Sequence, residues 1–175
     1  MDCQLIELWA RGGEKLRRAV AGLSEKELQA RPGPGAWSIH ELVVHLAGSD
    51  AIAIDRMKRI LTEENPTLLY ADESAYVERL FTHDQSFDDA LLLFEVNRRQ
   101  FARVLRRLSD EAFERPGMHN KAGVVTVGRL VAMYVQHLDN HLEFLLAKRK
   151  KLGKPLTPET RGFAFIGSEL LSRIH

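Results

Sequence analysis

Residues 135–144 read VQHLDNHLEF, with two imidazoles four residues apart, His137 and His141. In a helix, positions i and i+4 are neighbours on one face, so this spacing stacks the two rings. A third histidine, His45, lies in a second stretch of helical periodicity, IHELVVHLAGSD. Imidazole is a borderline ligand that Zn2+, Ni2+ and Fe2+ all accept. Three protein ligands leave at least one position for water, which is the arrangement of a reactive site and not of a closed structural one. The spacing alone does not decide the matter. Hydrogen-bonded histidines at a core edge would give the same pattern, and Leu138 stands where the zinc proteases carry a glutamate.

Something must bring the three rings together, and the hydropathy pattern predicts what. Four long helices are expected. The first runs from about Asp2 to Gly22, with Leu5, Leu8, Trp9, Leu16, Ala19 and Val20 on one face. The second starts at Ser38, where S-x-x-E spacing to Glu41 allows a capping box, and runs to about Thr62 before Asn65–Pro66. The third starts at Ser86 and reaches about Leu108. The fourth is capped by Thr126 and ends near Lys151, where the basic KRKK turn complements the helix dipole. Residues 66–86 read as a long mixed connection with a short helix at ESAYVERLF. No strand-period run is long enough for a sheet, and Val124 to Val127 carry only a weak β signal. The fold class is therefore all-α, a four-helix bundle with short extra helices in the connections and tail. The bundle is assigned to residues 1–151, with 152–175 as a tail packing on it.

A helix turns about 100° per residue. On that wheel His137 and His141 share the arc of Val127, Leu130, Val131, Tyr134, Leu138, Leu142 and Leu145, while Gln136, Asp139, Asn140 and Glu143 face away. His45 sits at the edge of the second helix's apolar arc, and His40 is expected to point outward. Asp50 falls on the inner arc, ready to pair with an arginine or to orient a ligand histidine. In the third helix Asn97 is expected among Ala90, Phe94, Phe101, Val104 and Leu108, so that an amide enters the core and needs partners. Ser49, one turn after His45, and Tyr134, one turn before His137, are further candidates to line a pocket. Glu41 is expected to cap, His119 to be a solvated loop residue unless its loop folds over the pocket, and Cys3 to be a small buried residue.

The bulk numbers exclude several classes. The chain has 175 residues, net charge +1 and a single cysteine. A nucleic-acid binder working through a broad basic face is not expected from that charge, and AKRKK at 147–151 is explained by its helix end. One cysteine permits neither an intrachain disulfide nor a multi-cysteine metal site. There is no basic segment ahead of an apolar core at the N-terminus and no apolar stretch of 18 residues, so a cytoplasmic protein without membrane contact is expected.

PGAWSIHELVVHLAGSD resembles the DinB/YfiT-like superfamily in its tryptophan, capping hydroxyl, acidic position and His-Leu pair, here Trp37, Ser38, Glu41 and His45-Leu46. FERPGMHNKAGVVTVGRLVAMYVQHLDNHLEFLL is similar to that family's loop, helix start and H-x-x-x-H. The likeness covers roughly residues 1–150. It implies up-down-down-up connectivity and a divalent metal on His45, His137 and His141. Some such relatives are transferases that use a low-molecular-weight thiol such as bacillithiol or mycothiol, and related proteins often pair, so a homodimer is expected; an open divalent site would serve hydrolysis equally. The alternative is a non-catalytic metal-binding or stress-response bundle acting as a dimeric interaction module. A pocket of several hundred Å3 is what separates these readings.

Overall fold

The structure, a computed structural model, describes residues 3–166. The first expected helix is two helices, α1 (Cys3–Ala10) and α2 (Gly12–Val20), separated at Arg11. The glycines explain the join. A Cβ on Gly12 would collide with the Arg98 guanidinium and lie 3.0 Å from Leu138, so only glycine lets this chain pass so close. A short helix α3 (Glu25–Gln29) follows, opened by the Ser24–Glu27 capping box. Then comes α4 (Ile39–Thr62), where Ser38 and Glu41 make the expected reciprocal cap. Such caps are worth about 1 kcal/mol each.

The connection 63–86 carries a two-residue strand β1 (Thr67–Leu68), α5 (Glu73–Arg79) and one 3-10 turn at Thr82–Asp84. Next are α6 (Phe87–Leu105) and the single turn α7 (Asp110–Phe113). The hairpin β2 (Pro116–His119) and β3 (Gly123–Thr126) leads into α8 (Val127–Lys151), whose N-cap is Thr126 as expected. A last turn, α9 (Pro158–Arg161), lies in the tail. The small sheet, in the order β1-β2-β3, corrects the expectation of no sheet. Its strands are two to four residues long, and β1 pairs with β2 across about fifty residues of chain. No local alternation could announce that pairing. Gly123, at φ +73°, supplies the left-handed residue in the hairpin.

The apolar core is in two parts. One gathers Leu5 and Trp9 of α1, Met57 and Ile60 of α4, Phe101 and Leu105 of α6, and Val131 and Val135 of α8. The other gathers Leu16 and Ala19 of α2, Leu42 and Leu46 of α4, Leu91 and Phe94 of α6, and Leu138, Leu142 and Leu145 of α8. The order in which each helix crosses these two parts fixes the topology. The α1–α2 pair and α8 run from the first part to the second, and α4 and α6 run back. That is the up-down-down-up bundle. Adjacent parallel helices α4 and α6 require a connection that returns along the whole bundle, and residues 63–86 are that return.

A polar layer separates the two core parts. Arg98 and Asp50 are 0% and 1% exposed, bonded Nη2–Oδ1 at 2.9 Å and Nε–Oδ1 at 3.1 Å. The guanidinium also donates to the Tyr134 carbonyl at 2.9 Å and lies 4.5 Å from the centres of both the Trp9 and Phe94 rings. Lys15 pairs with Asp139 at 2.9 Å, both buried. The helical wheel puts Asp139 on the outer face, and the structure corrects this. It is inside because Lys15 neutralises it, and its other oxygen accepts the Ile166 amide at 2.6 Å. Phe163 and Phe165 of the tail pack against the second core part. The tail helix expected from Phe163 does not form over 163–166, which are irregular chain after α9, and its remainder from residue 167 on lies outside the described residues. Cys3, expected to be buried, is exposed. No described helix is long and apolar enough to cross a membrane.

Candidate metal centre

The three histidines converge at the level of this polar layer. His141 Nε2 lies 3.0 Å from His137 Nε2, which lies 3.4 Å from His45 Nε2. One ligand atom from each falls within 4.8 Å of the others, and together they could hold a metal ion. The donor set fits one. Bonds of ~2.0–2.1 Å from nitrogen to zinc, at tetrahedral angles, place donors ~3.3 Å apart. The 3.0 Å separation of two of these nitrogens suits a hydrogen bond between opposite tautomers as well as two lone pairs turned toward one ion.

Electrostatics agrees with neutral rings. Burial is the first cause for all three. It pushes His45 down to about 4 and His141 down to about 4, the latter helped by His45. His137 is pushed down to about 3 by burial and then by His141, His45 and Arg98. Neutral imidazole is the form that ligates. At neutral pH the approach of Glu73 Oε2 to His45 Nε2 (3.7 Å) and His137 Nε2 (3.9 Å) is therefore a polar contact and not an ion pair.

The sequence pattern does not single out Glu73. It stands at the first position of α5, in the return connection, and nothing periodic ties that segment to the histidines. Its Oε1 accepts from Ser49 Oγ at 3.2 Å, so the predicted Ser49 does reach the site, through Glu73. Trp37 closes another side. Its ring is 5.0 Å from that of His45 and stacks on His141 at 6.5 Å with planes 10° apart.

Three cavities open beside the cluster, the smallest, of about 270 Å3, against Trp37 and His141. One, of about 520 Å3, is lined by His137, Glu73, Arg56, Tyr134 and His119 among others. The second, of about 450 Å3, is lined by His45, Glu73, Ser49 and the apolar Val77, Leu80 and Leu93. Tyr134 thus lines a cavity as expected, and its hydroxyl accepts from Arg56 at 3.2 Å. His119 joins it from the end of β2. Asn97 does not join. It is half-buried and lines neither cavity. The fully buried polar side chain of α6 is its neighbour Arg98, carried inside by Asp50. His40, expected outside, is buried with its Nε2 2.8 Å from the Gln85 carbonyl. Glu41 caps α4 and is held by Arg31.

Known proteins are similar to this chain in sequence and fold. A protein of Oceanobacillus iheyensis, named as a candidate metal-dependent hydrolase, is 31% identical over 137 residues, covering 77% of this chain and 79% of that one. YfiT of Bacillus subtilis is 27% identical over 140 residues, 79% of each chain. The YfiT structure, described as "a probable metal-dependent hydrolase with an unusual four-helix bundle topology", superposes with a TM-score of 0.80 at 26% identity over 86% of both chains. A DinB-like protein of the same organism, YjoA, shares the fold at a TM-score of 0.61 and 15% identity, covering 89% of this chain and 96% of its own. With residues 8–145 matching the sequence pattern of the DinB superfamily, the chain belongs to that superfamily.

Proposed function

We propose that this protein is a metal-dependent hydrolase of a small molecule, with His45, His137 and His141 as ligands of a divalent ion. One observation carries the reading: three neutral imidazoles meet at 3.0 and 3.4 Å where two cavities adjoin. A divalent ion there supplies Lewis acidity and lowers the pKa of a bound nucleophile. The chain's own groups do the rest. Glu73, 3.7 and 3.9 Å from two of the ring nitrogens, accepts the proton of an attacking water. Ser49 holds one oxygen of that carboxylate, so the other stays turned to the histidines. Trp37 shields the cluster from solvent on the His141 flank.

A non-catalytic bundle would need no room beside the cluster, and cavities of 520 and 450 Å3 favour turnover. A second reading, transfer to a low-molecular-weight thiol, draws support from separate cavities at His137 and His45, room for each of two reactants. Protein purified without a histidine tag is expected to carry near one equivalent of a first-row divalent metal by elemental analysis. A His137→Ala/His141→Ala variant should lose it. Absence of metal after reconstitution sinks the proposal. In a panel of esters, amides and thiol-transfer substrates, Glu73→Gln is expected to keep its metal and lose roughly 100-fold or more in rate. Activity that appears only with added thiol would select transfer over hydrolysis.

A further inference from the structure

Three side chains that line the 520 Å3 cavity, Arg56, Tyr134 and His119, carry hydrogen-bond donors that the cluster chemistry does not use. Arg56 has five N–H donors, as every arginine does. Nη1 donates to the Tyr134 hydroxyl at 3.2 Å and Nη2 to the Leu69 carbonyl at 2.6 Å. Nε is buried away from solvent with no partner, and each Nη keeps one further hydrogen to donate. Among the described residues no carboxylate lies within ion-pair distance of Arg56. A half-buried guanidinium with spare donors and no counter-charge is a group waiting for an anion.

Two further donors face the same space. Tyr134 is 7% exposed, and its oxygen already accepts from Arg56, so its own hydrogen is left to donate into the cavity. His119 accepts at Nδ1 from the Lys121 and Ala122 amides, at 3.2 and 3.0 Å. Two donors at Nδ1 put the ring hydrogen on Nε2, making that atom a donor as well. Lys121 adds positive charge nearby, its Nζ 3.4 Å from the centre of the Tyr70 ring at the cavity rim. The acidic groups of the cavity, Asp72 and Glu73, stand together at the start of α5. The cavity lining therefore combines these donors with two neighbouring carboxylates, and His137 lines it too.

We infer that Arg56, Tyr134 and His119 form an anchor for the carboxylate of the substrate, whose other end reaches the histidine cluster past Glu73. Glu73 and Asp72 repel a second or doubly charged anion, which favours a monocarboxylate over a phosphate. The inference deepens the hydrolase reading by naming a substrate class. It relies on that reading only for where the reacting end lies.

Binding to metal-free protein tests the anchor apart from the metal. The probes are hexanoate and hexanamide, equal in size and differing in charge, with inorganic phosphate as a third, followed by NMR titration of labelled protein. Hexanoate is expected to bind at least tenfold more tightly than hexanamide and than phosphate. Arg56→Met should weaken hexanoate roughly 10- to 100-fold, the range of hydrogen bonds to charged groups. Arg56 also holds the Leu69 carbonyl, so Tyr134→Phe serves as a second variant that removes one hydroxyl and leaves that tie. It is expected to weaken hexanoate several-fold and leave hexanamide unchanged. Equal binding of acid and amide, unchanged binding by both variants, or tighter binding of phosphate overturns the carboxylate anchor. A protein that discriminates the acid but takes up no metal keeps the anchor and loses the hydrolase reading. One that holds metal and discriminates nothing does the reverse.

Discussion

Replacing Asp50 by alanine should be among the most damaging single changes in this molecule. The carboxylate is 1% exposed and makes three hydrogen bonds of 2.9–3.2 Å to Arg98, which is itself fully buried. Burial pushes the Asp50 carboxyl up and Arg98 opposes that effect. The arginine cannot lose its proton in response, so Asp50→Ala strands a cation between Trp9 and Phe94. Breaking a buried pair from one side costs about 3–5 kcal/mol, against a total stability of about 5–15 kcal/mol for a domain. The Asp50→Leu/Arg98→Met double variant removes both charges and fills the space, and it should recover most of the loss. The assay is urea unfolding of metal-free protein at neutral pH, with the slope of the transition checked for two-state behaviour. A loss under about 1 kcal/mol in Asp50→Ala would falsify the account of a desolvated pair. A double variant as unstable as the single one would do so too. Metal affinity gives a second readout, since Arg98 grips the Tyr134 carbonyl one turn before His137.

The remaining predictions concern pH, backbone space and capping. His45, His137 and His141 have folded pKa values below the unfolded value near 6.5, so their contribution is fully present above about pH 6.5 and is lost as pH falls toward 4. Metal-free protein should lose several kcal/mol of stability across that window, since a tenfold change in proton affinity is worth roughly 1.4 kcal/mol. A His45→Asn/His137→Asn/His141→Asn variant should show a flatter profile by the same urea assay. Gly12→Ala should cost about 1–3 kcal/mol, because its Cβ would meet Arg98 and Leu138. Gly48→Ala, with nothing within 4 Å of the new methyl, should gain about 0.5–1 kcal/mol in thermal unfolding. Ser38→Ala should lose about 1 kcal/mol and lower the helical signal, since the cap at the start of α4 disappears.

Much of this architecture is written locally. The caps at Ser38 and Thr126 and the i, i+4 histidines need only neighbours along the chain to be read, and those parts of the fold agree with expectation. What escapes is whatever depends on a distant partner. The helical wheel turns Asn97 toward the core, yet Arg98 takes the inner place, and only Asp50, on another helix, makes an arginine acceptable there. Asp139 is inside for the same reason, through Lys15. His40 is buried against a carbonyl 45 residues away. Glu73 lies in a connection whose path is dictated by the parallel placement of α4 and α6, a tertiary requirement with no local signature. The break at Arg11 is hidden because the apolar stripes of α1 and α2 read as continuous, although Gly12 marks the spot.

The polar layer between the two core parts has a consequence for how the molecule opens. Each apolar part is a candidate cooperative unit, and the layer between them is held by geometry-dependent ion pairs instead of by area. Native-state hydrogen exchange should then sort the amides of α4, α6 and α8 into two protection classes that change over near Asp50, Arg98 and Asp139. An ion held by His45, His137 and His141 would bind α4 to α8 on the second part's side of that seam. Its uptake would raise the protection of the second class above that of the first and widen the gap between the two halves.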